Sequence, residues 1–467
     1  MNNIDEVLQA IYIGLIVAYF LLNTNRVLKS IEICKECLDI LRRRAGIKDD
    51  KLAKSLYKRV YLVMSKAYRA INDNTDAMKY AEKILQIYRE TGQKLAEYKL
   101  SFDLAERYFH QSKFAEAKEL LEKALLIGKE IGDRDGQATC FQNLGGVYQS
   151  VGEYGKAIEY IKKSLVIKNE IGDRKGEALC YGNLGAVYHS VREYDRAREY
   201  LEKSLVINKE IGDRNLEATC YVDLGEVYQS VGEYDRAREH LEKSLVINKE
   251  IGDRNEEATC YVDLGAVYHS VGEYDKAIEY IKKSLVIKKE IGDRNGEATC
   301  HGNLGVLYGS VSEYHKAKEH LQKSLTISKE IGDRKEEATC YANLGAVYES
   351  VGECRKAREY IEKSLAINKA IGDRNLEATC YVNLGEVYHS AGEYDKAIEY
   401  IKKSLVFKKE IGDRKGEAFC YRKLGDVYQS VREYGPSRTM ANLLKCPEFL
   451  RTCLTPKMSE TSLRYRV

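Results

Sequence analysis

The sequence predicts an all-α fold, a solenoid built from antiparallel helix pairs. A block of forty residues recurs from Ile131 to Tyr434 with few changes. A fixed period of this length is typical of one supersecondary unit stacked on itself. Within the block, apolar residues recur at gaps of three and four, and the alternation that a strand would require is missing. Helix pairs are therefore the expected unit.

Composition supports a folded protein and excludes several classes of function. Of the 467 residues, 31% are charged and 44% are hydrophobic, so the chain resembles neither a disordered nor a membrane protein. A net charge of +3 over this length gives no electrostatic case for nucleic-acid binding. The length alone would suggest several domains, but the repeat favours one elongated array.

The first element is the apolar run Ala10–Leu22, which is too short to span a bilayer. It follows Asp5 and Glu6 rather than a basic stretch, which argues against a signal peptide. We therefore expect a buried first helix and no membrane insertion.

Residues 1–97 are predicted to form degenerate helix pairs, because only part of the pattern is preserved there. Tyr61, Met64, Tyr68 and Ala77 mark one such unit, and Ile31–Leu41 belongs to an earlier one. Residues 98–434 are predicted to form the regular array, and together with the degenerate units the chain should contain ten helix pairs and one further first helix. Residues 435–467 hold all three prolines. There we expect a capping helix over Ser437–Cys446, ended by Pro447, and then a disordered tail.

One regular unit, Ile251–Ile291, shows why each helix begins and ends where it does. Gly252 suits the end of one helix and Asp253 suits the cap of the next. Gly272 then separates two helices of about 17 residues, each roughly 25 Å long. Gly265 and Ala277 are small enough to let the two helix backbones approach.

Thirteen cysteines raise the question of a disulfide framework. Eight of them occupy one equivalent position in successive repeats: Cys140, Cys180, Cys220, Cys260, Cys300, Cys340, Cys380 and Cys420. This position lies on the apolar face, and equivalent residues one repeat apart are too distant to bridge. We expect reduced core residues and hence a cytoplasmic protein. Cys34 and Cys37 form a C-x-x-C without a second pair at zinc spacing, which is a weak metal signal.

At Tyr261, Leu264, Gly265, Tyr268 and Ala277 the unit resembles the tetratricopeptide repeat, whose arrays are right-handed superhelices that bind proteins. The forty-residue length and the Gly-Asp-Arg between units resemble the array of the Pins/LGN family, the G-protein-signalling modulators of cell polarity. That resemblance implies GoLoco motifs that hold a G-protein α-subunit. None is recognisable in residues 435–467, which argues against such binding here.

No phosphate-binding loop, dinucleotide fingerprint, zinc-protease motif or nucleophile elbow occurs in the chain. We therefore expect no enzyme activity, no cofactor, no catalytic residue and no metal site.

Comparison of the repeats with one another indicates a binding surface on the first helices, which in tetratricopeptide arrays line the concave wall. Scaffold positions stay fixed while a polar strip beside the apolar face varies. Its predicted groove residues are Asn143, Asn183, Asp223, Asp263, Asn303, Asn343, Asn383, His189, His269, His389, Glu226 and Glu386. Asn offers donors and an acceptor to the backbone of an extended peptide. The alternative is that these are exposed residues whose identity varies among repeats without a functional reason.

Two functions remain open from the sequence. The first is an adaptor that holds an extended protein or peptide partner in the groove, in cell polarity or G-protein-linked signalling. The second is a sensor or autoinhibitory array of a larger NTPase- or caspase-linked signalling protein, of which this chain would be a fragment.

Overall fold

A computed structural model of the chain describes residues 3–43 and 50–434, which contain 21 helices. The chain divides into two compact units, Met1–Leu216 and Glu217–Val467. The first unit contains α1 (Asn3–Asn23), α2 (Val27–Arg43), α3 (Asp50–Ala70), α4 (Asn74–Glu90), α5 (Lys94–His110), α6 (Phe114–Glu130), α7 (Arg134–Ser150), α8 (Tyr154–Ile171), α9 (Arg174–Ser190) and α10 (Tyr194–Ile211). The boundary falls within α11 (Arg214–Ser230).

The second unit continues the same pattern of paired helices. It contains α12 (Tyr234–Ile251), α13 (Arg254–Ser270), α14 (Tyr274–Glu290), α15 (Arg294–Ser310), α16 (Tyr314–Ile331), α17 (Arg334–Ser350), α18 (Cys354–Ile371), α19 (Arg374–Ser390), α20 (Tyr394–Glu410) and α21 (Arg414–Tyr434). The predicted all-α class and the ten pairs with one further first helix are confirmed. The predicted division at residue 97 stays a prediction. The predicted capping helix and tail lie outside the described residues.

The two helices of a pair run antiparallel, as an ion pair between their ends shows. Arg254 at the start of α13 contacts Glu290 at the end of α14, with 2.6 Å between Nη2 and Oε2. The equivalent pair Arg294–Glu330 closes the next repeat at 2.5 Å.

Helix ends follow the predicted capping chemistry. Gly252 ends α12 with φ of +76°, a left-handed conformation that favours glycine. The Asp253 carboxylate then accepts a hydrogen bond of 3.0 Å from the backbone N–H of Glu256. Each turn therefore stops one helix and starts the next within three residues.

Small residues set the distance between paired helices. A Cβ on Gly265 would lie 2.7 Å from Cδ1 of Ile281 and 3.4 Å from the carbonyl oxygen of Ala277. Ala277 itself is fully buried. Since real Cβ contacts are essentially never that short, any side chain at Gly265 would push α14 away from α13.

The eight-cysteine series lies in the core, as predicted. All eight are buried and free of disulfides. Cys260 packs with its sulfur 3.3 Å from Oγ of Ser244, and burial raises the pKa of its thiol. Such thiols stay protonated and inaccessible to oxidants.

The expectation of a buried first helix is wrong for much of α1. Ile11 and Ala18 are buried, but Ile13 is 61% exposed, Ile16 69% and Phe20 64%. The 18-residue stretch Glu6–Asn23 has a mean hydropathy of 1.7 and, by length and composition, could cross a membrane. Only 22% of this stretch is buried in the fold. The reason for the difference is that, among the described helices, α2 and α3 supply most of the packing against α1, which leaves one apolar face largely uncovered.

A second difference concerns the last turn of the second helices. Lys288 lies in the last turn of α14, where a basic side chain would ordinarily be solvated, but the structure buries it. Its ammonium group lies 2.7 Å from Oδ1 of Asn255 and 2.9 Å from Oδ2 of Asp293. It therefore joins its own repeat to the cap of the next.

The residue eight positions later must make room for that lysine. A Cβ on Gly296 would lie 2.5 Å from Cδ of Lys288. The three repeats with a buried lysine at this position all have glycine eight residues on, whereas the three with asparagine have leucine or glutamate. The lysine pairs are Lys168–Gly176, Lys288–Gly296 and Lys408–Gly416; the asparagine pairs are Asn208–Leu216, Asn248–Glu256 and Asn368–Leu376. We call these nine-residue segments the junctions.

Candidate functional site

The predicted groove residues lie on the first helix of each pair, along the edge of its buried face. Ten of the twelve are half-buried, and Asn143 and Glu226 are exposed. We call these positions the first-helix strip. The strip therefore lies at the margin of the buried face, where solvent still reaches most of its side chains.

Two hollows lie between consecutive first helices of the second unit. The hollow between α13 and α15 has a volume of about 140 Å³, and the hollow between α15 and α17 about 280 Å³. The first is lined by Val262, Gly265, Ala266, His269, Ile281, Asn303, Val306 and Leu307. The second includes Val306, Gly309, Ser310, Asn343, Ala346 and Ser350. Because Val306 lines both, the hollows adjoin.

Each hollow contains one asparagine of the predicted series, Asn303 in the first and Asn343 in the second. Within the described part of the chain, neither side-chain amide forms a hydrogen bond. An amide presents two donors and one acceptor, the complement of a peptide backbone. Largely apolar walls, each with one amide that has no partner within the described fold, can bind an extended segment through both side-chain burial and backbone hydrogen bonds.

The two aspartates of the series differ electrostatically from the asparagines. Burial raises the pKa of Asp223 to about 7, and the nearby Glu226 carboxylate adds to the effect. Burial likewise raises the pKa of Asp263 to about 7, with Glu226 and Glu256 contributing. The sequence has Asn or Asp at this one equivalent position in seven repeats. In the structure, burial and neighbouring carboxylates raise the pKa of the two aspartates.

Other predicted site residues already have partners on neighbouring first helices. Nε2 of His389 lies 2.8 Å from Oγ of Ser430, and Glu386 forms an ion pair with Lys423. Burial lowers the pKa of His389, so it is neutral at physiological pH. These two residues connect α19 to α21, which is a structural role that the sequence comparison did not predict.

The remaining histidines of the strip contact an aromatic ring. His189 lies 5.7 Å from the Tyr194 ring, and His269 lies 5.5 Å from the Tyr274 ring. Each tyrosine begins the second helix of the same pair. Such contacts orient the imidazole rings, and His269 also lines the first hollow.

A histidine pair in the core of one repeat was not predicted from the sequence. The Nδ1 atoms of His301 and His320 lie 2.9 Å apart, and His301 is only 4% exposed. Burial lowers the pKa of His301 to about 4, and the nearby His320 and Lys289 make smaller contributions in the same direction. The signal was available, because neighbouring repeats place stacked tyrosines such as Tyr181 and Tyr200 at these positions.

Comparison with known proteins identifies the repeat. The sequence matches the profile of the tetratricopeptide repeat over residues 98–170, 176–250, 216–290, 256–330, 297–370, 336–410 and 376–442. A search of curated proteins found no match.

Solved structures share the fold. The apo form of the quorum sensor NprR from B. thuringiensis is 16% identical, with a TM-score of 0.52, covering 73% of this chain and 99% of that one. A signal transduction ATPase with numerous domains and a tetratricopeptide repeat sensor, from Pyrococcus horikoshii, is 19% identical, with a TM-score of 0.51. That match covers 80% of this chain and 56% of the other. These comparisons give no specific support to the resemblance to the Pins/LGN family.

Proposed function

Because the chain belongs to the tetratricopeptide repeat family, we propose that it is a non-enzymatic scaffold that binds an extended protein segment along the first-helix strip. The adjoining hollows between α13, α15 and α17 are the centre of this surface. The observation that carries the proposal is that the side-chain amides of Asn303 and Asn343 lie within largely apolar hollows and have no hydrogen-bond partner among the described residues.

The chemistry of the hollows defines the segment they fit. Val306 and Ala346 offer apolar contact to side chains that alternate along an extended chain. The two amides then hold the intervening backbone groups. A net hydrogen bond contributes only about 0.5–1.5 kcal/mol, so affinity is distributed over several repeats.

The test uses the full chain and two double variants of it as baits, and compares how strongly each binds the recovered partner. Asn303→Ala with Asn343→Ala should weaken a recovered partner by roughly 1–3 kcal/mol, since two net hydrogen bonds are lost. Lys282→Ala with Lys283→Ala, on the exposed face of α14, is the matched control. Pull-down and mass spectrometry identify the partner, and titration calorimetry measures the loss. If the lysine variant loses binding and the asparagine variant keeps it, the site lies on the opposite face.

A second candidate is a sensor array within a larger signalling protein. The shared fold with the tetratricopeptide repeat sensor of the Pyrococcus horikoshii protein, of which this chain covers 56%, favours considering it. An NTPase segment in the full-length transcript would support this candidate.

The signalling role and the cellular location are proposed from separate observations. A function in cell polarity or G-protein-linked signalling depends on the resemblance to the Pins/LGN array alone. A cytoplasmic location is supported by the free, buried cysteines.

A further inference from the structure

The uncovered face of α1 goes beyond the proposed peptide surface. From Val7 to Asn23 the sequence contains no charged residue. Ile13, Ile16 and Phe20 recur at helical spacing and are each more than 60% exposed. Folded monomers rarely leave a contiguous apolar stripe of this kind in water, and such a patch marks an interaction surface.

A hollow of about 390 Å³ between α1 and α3 extends this stripe. Tyr12, Ile16 and Tyr19 line it from α1, and Leu62 lines it from α3. The two tyrosines are 37% and 49% exposed, so their rings reach the surface. Tyrosine combines an apolar ring with a polar hydroxyl and is favoured where an apolar phase meets water.

Two cations of α3 border the hollow. The Arg59 guanidinium lies 5.6 Å from the centre of the Tyr12 ring, and the Lys66 ammonium lies 5.8 Å from that of Tyr19. Both side chains are exposed, and neither forms an ion pair with any residue that the structure describes. The apolar face is therefore bordered by positive charge that the described fold leaves uncompensated.

We propose that this face of α1 and α3 docks on an anionic membrane surface. The α1 helix would lie in the plane of the interface, with Ile13, Ile16 and Phe20 in the boundary between head groups and acyl chains. Arg59 and Lys66 would contact lipid phosphates and carboxylates, since an anionic surface attracts basic residues that lie next to it.

The chemistry of the face favours lipid over the other occupants. Apart from the two tyrosine hydroxyls, the α1 side chains of the face have no hydrogen-bonding group, so an extended peptide backbone would be poorly satisfied, whereas acyl chains need no such partner. A second copy docked on the same face would bring unpaired cations of both copies together. An anionic bilayer satisfies both the apolar stripe and the cations.

The absence of tryptophan from the chain allows a direct test. Phe20→Trp places a single reporter in the stripe of the full chain. Vesicles of phosphatidylcholine and phosphatidylserine should shift its emission to the blue and carry the protein through a flotation gradient. Vesicles of phosphatidylcholine alone should bind on the order of tenfold less, because the cations then lack a partner. Val286→Trp, a 56% exposed position on α14, is the control and should show no shift.

Charge variants separate the two contributions without touching the core. Ile16→Asp with Phe20→Asp should abolish flotation, and Arg59→Glu with Lys66→Glu should remove the preference for phosphatidylserine. Val246→Asp with Val286→Asp, at exposed valines of α12 and α14, should leave flotation unchanged. Equal flotation of the stripe variant and the parent would overturn the proposal. A dimer in sedimentation equilibrium that Ile16→Asp dissolves would also overturn it and assign the face to a second copy.

Discussion

Asp263 shows how one side chain in a repeat can be tuned away from its equivalents. Asn303 and Asn343 occupy the same position without a charge, whereas burial, Glu226 and Glu256 raise the pKa of Asp263 to about 7. Since the unfolded value is about 3.9, the folded state binds more protons than the unfolded state between pH 4 and pH 7. Stability contributed by this group is therefore present at low pH and lost as the pH rises through 7.

We therefore predict that Asp263→Asn stabilises the protein at pH 8 by about 1–2 kcal/mol, a value reduced from the full shift because the group is partly exposed. At pH 4 the variant and the parent should differ little, because the carboxyl is already neutral in the folded state. Urea unfolding at both pH values measures the difference. An equal gain at both pH values would show that packing, not charge, is responsible.

The pair His301–His320 has the opposite pH dependence. The folded pKa of His301 lies at about 4, below the usual 6.5, so the unfolded state binds more protons between these values. Lys289 and Lys323 face both rings and Lys282 faces His320, and the carboxylates Glu297 and Glu319 partly offset these positive charges. Stability from the neutral pair is therefore lost as the pH falls from about 6.5 to 4.

Replacing both histidines by the tyrosines of neighbouring repeats tests this. Between pH 7 and pH 4, the free energy of unfolding should fall by about 1–2 kcal/mol less in the variant His301→Tyr with His320→Tyr than in the parent. The reason is that the variant has no buried imidazole to protonate. Thermal unfolding followed by circular dichroism over this pH range gives the comparison. His315→Tyr, at an exposed position of α16, serves as the control.

At the scale of the helix pair, the junctions couple each second helix to the next first helix. Gly296→Leu should destabilise the protein by about 1–3 kcal/mol, because its side chain would overlap that of Lys288. Adding Lys288→Asn recreates the combination found at Asn368 and Leu376 and should recover most of the loss. A double-mutant cycle from urea unfolding measures this coupling. If the two substitutions have additive effects, the co-occurrence of lysine with glycine at the junctions has no energetic basis.

The elements themselves were largely predictable from the sequence, because helix starts and stops are local. Gly252 and Asp253 specify a turn whatever surrounds them, and the forty-residue period counted the pairs correctly. The burial of Lys288 and the exposure of Ile16 were not predictable. Each depends on which side chains another helix brings close, and hydrophobic periodicity gives no information on that contact.

The candidate site was predictable only in part, for the same reason. Variation among repeats identified the first-helix strip, including Asn303 and Asn343, as surface positions. It gave no distinction between these amides, which line hollows, and His389 and Glu386, which bind neighbours in the fold. That distinction requires the distances between helices.

At the scale of the whole chain, stability should depend on the number of repeats, because a helix pair buries its faces only against its neighbours. Deleting residues 251–330 removes two complete units and preserves the period. We expect a lower thermal midpoint and a broader transition than in the parent. Calorimetry of the two chains makes the comparison, and an unchanged midpoint would show that the pairs fold independently.

The junctions also bear on how such a chain can gain and lose repeats over generations. Near-identical blocks invite unequal recombination of the coding sequence, which removes or adds multiples of forty codons. Both members of each matched pair, such as Lys168 and Gly176, lie within nine consecutive residues. Any crossover outside that short window transmits the pair intact, so most rearranged descendants inherit only compatible neighbours. The few breakpoints that fall inside it would join a lysine to a leucine or glutamate, and selection would act first against those chains.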